Sequence, residues 1–440
     1  MYRILVTLVA LLSAGPVLAE DLLEIYREAQ INDARYAGAK AEFLARQERL
    51  PEARAGLLPN VNFEAGVSYN DIDVEYTSPT FNSGQRDYTA YNYGLILNQP
   101  VYRPQNLLTV DRAYIEVAQA STELDLAGQD LILRTAQAYF DILLARANLE
   151  FERSQEVAVA RQLEEAKRNF VVGTATITDQ REAQARYDLI RARVLVAENN
   201  LRVATQAIEV LTGRPVQGEI AGLTPGSTIK SPTPASMDAW VEQSNATNLE
   251  VLRARQTLEI AQTEVKLQRA GHKPTLDVVG TLSENHQGSS AFGVGSDTTS
   301  GVIGLEFNLP IYQGGAISSR TRQAIAQQDA AAQQLENVRR EAAQSARDAY
   351  LGVTSGIAQV NAFRQAVAST ELQLESTKLG QEVGVRTALD VLNAEGQLTI
   401  ARRDVAQAVY NTILSQLRLQ ASVGRLVEAD LLNINNLLAK

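Results

Sequence analysis

One structural unit is written twice along this chain. Phe170-Val-Val-Gly-Thr-Ala-Thr-Ile-Thr-Asp179 returns as Gln381-Glu-Val-Gly-Val-Arg-Thr-Ala-Leu-Asp390, which sets Gly173 over Gly384 and Asp179 over Asp390 at an offset of 211 residues. Tyr139 falls over Tyr350, and Gly213-Arg214 over Gly424-Arg425, at the same offset. Gln99-Pro-Val-Tyr102 lies over Leu309-Pro-Ile-Tyr312 with the offset slipped to 210, and Pro59 and Pro274 are 215 apart, so the slip is confined to the strand region. A period this long marks a duplicated unit, not a solenoid repeat of roughly 20–50 residues. The fold must therefore be assembled from two similar halves.

Ahead of the duplication, Arg3 precedes an apolar run from Ile4 to Leu12, followed by Ser13, Gly15, Pro16 and Val17-Leu18-Ala19 before Glu20. A cationic start, a short apolar core and small residues before a cut predict a signal peptide over residues 1–19, too short to span a bilayer as a helix. No stretch of about 18 consecutive apolar residues occurs elsewhere. An exported chain of this kind enters a membrane without an apolar helix or not at all.

Composition removes several classes of function. Lys and Arg number 41 against 51 Asp and Glu, a net charge of −10 with both signs interspersed, which argues against a nucleic-acid partner. With 45% hydrophobic and 21% charged residues the chain is not disordered as its main state. The absence of cysteine excludes disulfides, thiolate metal sites, cysteine nucleophiles and a lipidated N-terminal Cys. His272 and His286 are the only histidines and have no ligand spacing. Gly293-Val-Gly295 opens like a dinucleotide fingerprint but lacks the third glycine and falls in a loop. No catalytic, cofactor or metal site emerges, and the chain reads as no enzyme.

Within each unit the hydrophobic period is first two and then helical. Val61, Phe63, Ala65, Val67 and Tyr69 alternate with polar or small residues, as do Tyr91, Tyr93, Leu95 and Leu97. In the second unit Leu276, Val278 and Leu282, then Ile303, Leu305, Phe307 and Leu309, do the same. These are two-faced strands, with Thr77–Asp87 and Asn285–Ser300 as long polar loops between them. Tyr88, Tyr91, Tyr93, Tyr102 and Tyr312 are candidates for an aromatic membrane-interface belt. Apolar positions then recur in threes and fours, without proline from Gln105 to Val172 or from Gly314 to Val383. A helix from about Asn106 to Asn169 is roughly 96 Å long, and a near-3.5 repeat at that length predicts coiled-coil packing.

Gly173 and Gly384 suit the left-handed position that ends these helices. Thr176-x-x-Asp179 and Thr387-x-x-Asp390 then predict capping boxes that start a second helix running back to Gly213 or Gly424. A further helix opens each unit, over Leu22–Arg54 and Met237–Arg269. The expected organisation is a first repeat over 20–225, with strands at about 59–102 and a tip hairpin at about 106–213. A second repeat covers 226–440, with strands at about 274–312 and a tip hairpin at about 314–424. The proline- and glycine-punctuated stretch 214–236 and the end 425–440 form a linker region.

Four strands cannot close a barrel, and an open sheet edge in a bilayer leaves backbone groups unsatisfied. A membrane barrel needs eight or more strands. The chain must then oligomerise, and the pattern admits eight strands from two copies or twelve from three. A rival is a pore-less periplasmic adaptor or coiled-coil scaffold, which accounts for the helical hairpins but not for the two-faced strand pairs.

The duplicated strand–strand–long-helix unit, the tips Val-Gly-Thr-Ala-Thr-Ile-Thr-Asp179 and Val-Gly-Val-Arg-Thr-Ala-Leu-Asp390, and the ending Glu428-Ala-Asp-Leu-Leu-Asn-Ile-Asn-Asn-Leu-Leu resemble the TolC family of outer-membrane efflux and secretion channels. The resemblance covers essentially the whole mature chain. It implies an α+β membrane protein of a Gram-negative outer membrane: a homotrimer whose twelve-stranded β-barrel joins an α-helical barrel in the periplasm. It further implies a passive duct recruited by a periplasmic adaptor and an inner-membrane drug or ABC-type transporter, with no cofactor. The linker and C-terminus correspond to an equatorial region, and the lack of an N-terminal Cys matches the non-lipidated branch. Arg386 takes the place of an arginine that ties inner to outer hairpins and keeps the periplasmic entrance closed, with Thr178, Asp179 and Gln180 on the matching tip as its expected neighbours, within the chain or across a subunit boundary. Asp390 is expected to contribute to an acidic ring. The family has a second acid where this chain has Asn393, so the ring carries fewer charges.

Overall fold

The computed structural model describes residues 20–438 apart from 79, 81, 82, 217, 225, 227 and 291. The signal segment expected over 1–19 lies outside the described residues. In chain order the elements are α1 (Leu22–Asn32), α2 (Ala34–Gln47), α3 (Arg49–Ala55), β1 (Asn60–Val74), β2 (Gly84–Tyr102), α4 (Pro104–Val171), α5 (Ile177–Thr212), α6 (Met237–Thr247) and α7 (Leu249–Ala270). They continue with β3 (Thr275–Gln287), β4 (Ser296–Asn308), α8 (Ala316–Glu382), α9 (Ala388–Ser422) and α10 (Glu428–Asn435). No described helix is long and apolar enough to cross a membrane. The chain divides into two compact units.

The unit of residues 41–123 and 252–338 carries one four-stranded antiparallel sheet in the order β1-β2-β3-β4. Its register sorts side chains onto two faces, because paired residues share a face and neighbours alternate. Phe63 pairs Leu95, Ala65 pairs Tyr93 and Leu95 pairs Leu282, while Val278 pairs Leu305 and Leu276 pairs Phe307, which builds one apolar face. The other face sets Asn60 against Asn98, Asn92 against Asn285, and Ser283 against Ser300. Tyr91 and Tyr93 lie on the apolar face, whereas Tyr88 pairs Asn70 on the polar one, so Tyr88 does not belong with the aromatic residues expected to meet lipid.

Two loops are shorter than the composition predicts. β1 runs to Val74, β2 begins at Gly84, and β3 and β4 take in residues 285–287 and 296–300. Backbone pairing is indifferent to polarity, and polar side chains pair across these ends: Tyr69 Oη donates to Asp87 at 3.0 Å, Gln85 Nε2 to Asp71 at 3.0 Å, and His286 bonds Asp297. At the opposite end of the sheet the buried Asp277 on β3 accepts both arms of Arg103, just past β2, at 2.8 and 2.7 Å. That fork joins the two repeats through a bidentate, charge-assisted contact.

The unit of residues 20–40, 124–251 and 339–438 is helical. Its core gathers Leu22, Ile25 and Tyr26 of α1, Leu131, Tyr139 and Phe140 of α4, Ile208 of α5, and Tyr410, Ile413 and Leu417 of α9, with Leu431 of α10. Phe140 stacks on Tyr410 at 5.1 Å, and Tyr139 stands edge-on to Phe140 at 5.7 Å. The fully buried Tyr139 hydroxyl donates to Ala221 O at 2.6 Å, and burial pushes its pKa above the ordinary phenol value. Its repeat counterpart Tyr350 donates to Ala235 O, so each copy's tyrosine holds the stretch between the repeats.

The helices that open each repeat are broken, where the periodicity predicts one run. Asp33 (φ −65°, ψ 117°) separates α1 from α2, and Asn248 (φ −60°, ψ 131°) separates α6 from α7. Each side chain bonds the backbone beyond the break: Tyr36 N donates to Asp33 Oδ1 at 2.7 Å, and Glu250 N to Asn248 Oδ1 at 2.9 Å. Short polar side chains that compete for backbone amides restart a helix in a new direction. The hydrophobic period continues across both breaks, so it does not reveal them.

Candidate functional site

The two tips are built by one local plan. α4 ends at Val171 and α8 at Glu382, and Gly173 and Gly384 follow at φ 80° and 79°, the left-handed conformation glycine adopts without Cβ strain. The next amides turn back onto a single carbonyl. Thr174 N and Ala175 N donate to Asn169 O at 2.8 and 3.2 Å, and Val385 N and Arg386 N donate to Gly380 O at 2.9 and 3.0 Å.

Both capping boxes close. Asp179 N donates to Thr176 Oγ1 at 3.2 Å while Thr176 N donates to Asp179 Oδ2 at 2.7 Å; Asp390 and Thr387 do the same at 3.2 and 2.9 Å. The threonine hydroxyls also donate to the same carboxylate oxygens, at 2.8 and 2.9 Å. The threonine backbone amide, then its hydroxyl, holds each carboxyl below the usual aspartate range, and the charge of Arg386 adds to the effect at Asp390. Asp179 and Asp390 thus act as helix caps. Thr178, the second residue of α5, lies between the two box residues but takes no part in this box.

Arg386 lies in a cleft of about 280 Å³ between the ends of α8 and α9, lined by Gln373, Ser376 and Thr377 on one side and by Asp390, Asn393 and Gln397 on the other. Among the described residues Arg386 forms no ion pair, with Asp179 or otherwise. Within one chain the structure brings together Arg386, Asp390 and Asn393 but not Arg386 with Thr178, Asp179 or Gln180. The sequence reading missed Gln373, Ser376, Thr377 and Gln397; their signal was the helical spacing of polar residues at one turn's distance facing Asp390 and Asn393.

The helices behind each tip are paired. Lys378 meets Glu395 at 3.0 Å and Arg402 meets Glu371 at 2.8 Å between α8 and α9, and Arg153 meets Glu198 at 2.9 Å between α4 and α5. α9 also packs on α4, where Arg403 lies over the Phe151 ring at 5.8 Å.

Comparison with known proteins accords with this architecture. Residues 25–214 and 240–425 match the family described as outer membrane efflux protein, one match per repeat. The chain is 34% identical over 424 residues to the outer membrane protein TolC of Vibrio cholerae, covering 96% of this chain and 94% of that one. It is 30% identical to the proteases secretion protein PrtF of Dickeya chrysanthemi, covering 98% and 94%. The crystal structure of the Campylobacter jejuni CmeC outer membrane channel superposes with a TM-score of 0.79 at 18% identity, over 94% of this chain and 88% of that one. An adaptor or scaffold without a pore is thereby set aside. A duplicated, two-faced sheet joined to long paired helices, matched by sequence in both halves, makes this chain a member of the outer membrane efflux protein family, the channels of efflux and type I secretion.

Proposed function

We propose that three copies of this chain close a twelve-stranded barrel in the outer membrane and continue it as a helical tunnel through the periplasm, with an entrance that the tips open and close. The observation that carries this reading is the sheet. Among the described residues it has four strands, with edges at β1 and β4 that pair no further strand, one apolar face and one polar face. Edges joined to those of further copies leave no backbone group unsatisfied in lipid, with Leu305 and Phe307 outward and Glu306 and Asn308 inward. Membership of this family favours three copies over two.

The duct is passive. A periplasmic adaptor and an inner-membrane drug or ABC-type transporter supply substrate and energy, so the chain needs no specificity for cargo. At the entrance, Arg386 latches an inner tip to the neighbouring subunit's outer tip, at Thr178 and Asp179. Among the described residues no ion pair joins Arg386 to Asp179 within one chain, which supports a contact across the subunit boundary. Three Asp390 carboxylates around the axis favour cations, weakened by the neutral Asn393. Exposed pairs contribute about 0–1 kcal/mol each, so three give a latch that a docking partner can open.

Purified protein in a planar lipid bilayer tests the reading. A steady pore with low conductance, from particles whose detergent-corrected mass is three chains, is expected. A well-folded monomer without conductance overturns it.

A further inference from the structure

The stem of Arg386 lies against a position, residue 380, that has no side chain. Gly380 lies in the last turn of α8, and its carbonyl closes the tip turn by accepting from Val385 and Arg386. A Cβ built on Gly380 meets Arg386 Cγ at 2.7 Å and Arg386 Cβ at 3.4 Å. The near atom is the second carbon of the arginine stem, not its mobile end, so relief requires the whole side chain to rotate away.

The other repeat shows that the turn itself does not need glycine. Asn169 occupies the equivalent place 211 residues earlier and its carbonyl accepts the same two amides. The residue that crosses above Asn169 is Ala175, where the second repeat has Arg386. One repeat therefore combines a side chain on the long helix with a small turn residue, and the other combines no side chain with a long turn residue. Size is exchanged between two positions while the backbone hydrogen bonds stay the same.

We infer that Gly380 is the positioning residue for Arg386: its missing Cβ lets the arginine stem lie across the end of α8 and so fixes where the guanidinium is presented. The inference rests on the latch proposed for Arg386 and specifies what aims it. Glycine inside a helix is ordinarily a weakness that alanine repairs. A purely structural reading therefore expects Gly380→Ala to raise thermal stability and leave the pore alone.

The test measures single-channel conductance and the thermal midpoint of the detergent-extracted oligomer for Gly380→Ala, Arg386→Ala, the double variant, and Asn169→Gly. The expected result is that Gly380→Ala raises conductance by at least half of the rise produced by Arg386→Ala, with the oligomer intact and the midpoint unchanged or higher. The double variant should then conduct like Arg386→Ala alone, because two residues acting through one side chain are not additive. Asn169→Gly should conduct as the parent. If Arg386→Ala opens the pore and Gly380→Ala does not, the positioning role is wrong and the latch stands. Additive effects in the double variant also overturn the positioning role. If Arg386→Ala itself changes nothing, the latch fails and the inference falls with it.

Discussion

The helix breaks of the two repeats solve one geometric problem with different chemistry. In the first, the carboxylate of Asp33, 4% exposed, receives a forked contact from Arg134 at 2.9 and 3.0 Å, and that guanidinium holds the carboxyl below its usual range. In the second, the amide of Asn248 donates to Ser422 O at 2.9 Å, and no charge is involved. The tips differ in the same spirit, Asn169 with Ala175 against Gly380 with Arg386. Duplication has kept the backbone devices and let charge drift. The first repeat sets a carboxylate at the break where the second has the neutral Asn248, and the second sets Arg386 in the tip turn where the first has Ala175.

The sharpest way to break that comparison is to remove both break residues. Asp33→Ala leaves Arg134 part-buried with only Asp130, at 2.7 Å, and should cost about 3–5 kcal/mol. Asn248→Ala strands the amides of Glu250 and Val251, while Ser422 O keeps the Ser244 hydroxyl, at about 1–3 kcal/mol. Heat-induced dissociation of the detergent-solubilised oligomer reads both, and equal losses would mean that the fork adds nothing beyond capping.

In the strands the repeats should instead behave alike. Phe63→Arg and Leu305→Arg, each on the apolar face, should each cost roughly 2–4 kcal/mol near mid-bilayer and impair assembly, while Asn308→Arg mainly alters conductance. Assembly yield in outer-membrane fractions separates the faces; a defect from Asn308→Arg as large as that from Leu305→Arg would reverse them.

Acid should act on one break only. The folded pKa of Asp33 is depressed, so its contribution is complete above the ordinary aspartate value of about 3.9 and is lost as pH falls through the lower folded value. Asp33→Asn copies the neutral break and should flatten the stability profile below about pH 4 relative to the parent. An unchanged slope would assign the acid sensitivity to the capping aspartates, which both repeats share.

The smallest energies lie at the tips. Arg386→Ser should raise conductance without dissociating the oligomer, and Asp390→Ala should weaken block by multivalent cations added from the periplasmic side. If neither recording changes, the tips differ in sequence without differing in role.

Much of this was legible because the chain carries its own comparison. Period-two runs located all four strands, and paired Gly and Thr-x-x-Asp marks located both tips, since these are local rules of backbone and cap. The breaks at Asp33 and Asn248 were hidden because their short polar side chains interrupt the helix without interrupting its hydrophobic period. The extra strand residues at Asn285–Gln287 and Ser296–Ser300 were hidden because a ladder bonds backbone and tolerates polar side chains. The Arg103–Asp277 fork joins residues 174 apart in sequence, which no local pattern announces. The Gly380–Arg386 pair was within reach, because aligning the repeats sets Asn169 and Ala175 beneath it.

The strand order also has a kinetic meaning. β1 with β2, and β3 with β4, are hairpins that close over a few residues, but β2 meets β3 only after about 170 residues of intervening chain. Loop-closure entropy grows slowly with length yet must be met before a distant pairing returns any energy, so local hairpins form early and this seam forms late. During that interval each hairpin is a short-lived, unfinished sheet with two open edges and an apolar face in water, the condition in which strands aggregate. The Arg103–Asp277 fork at the seam then becomes a commitment point: once it forms, the halves of one polypeptide are registered against each other before either can pair with a stranger.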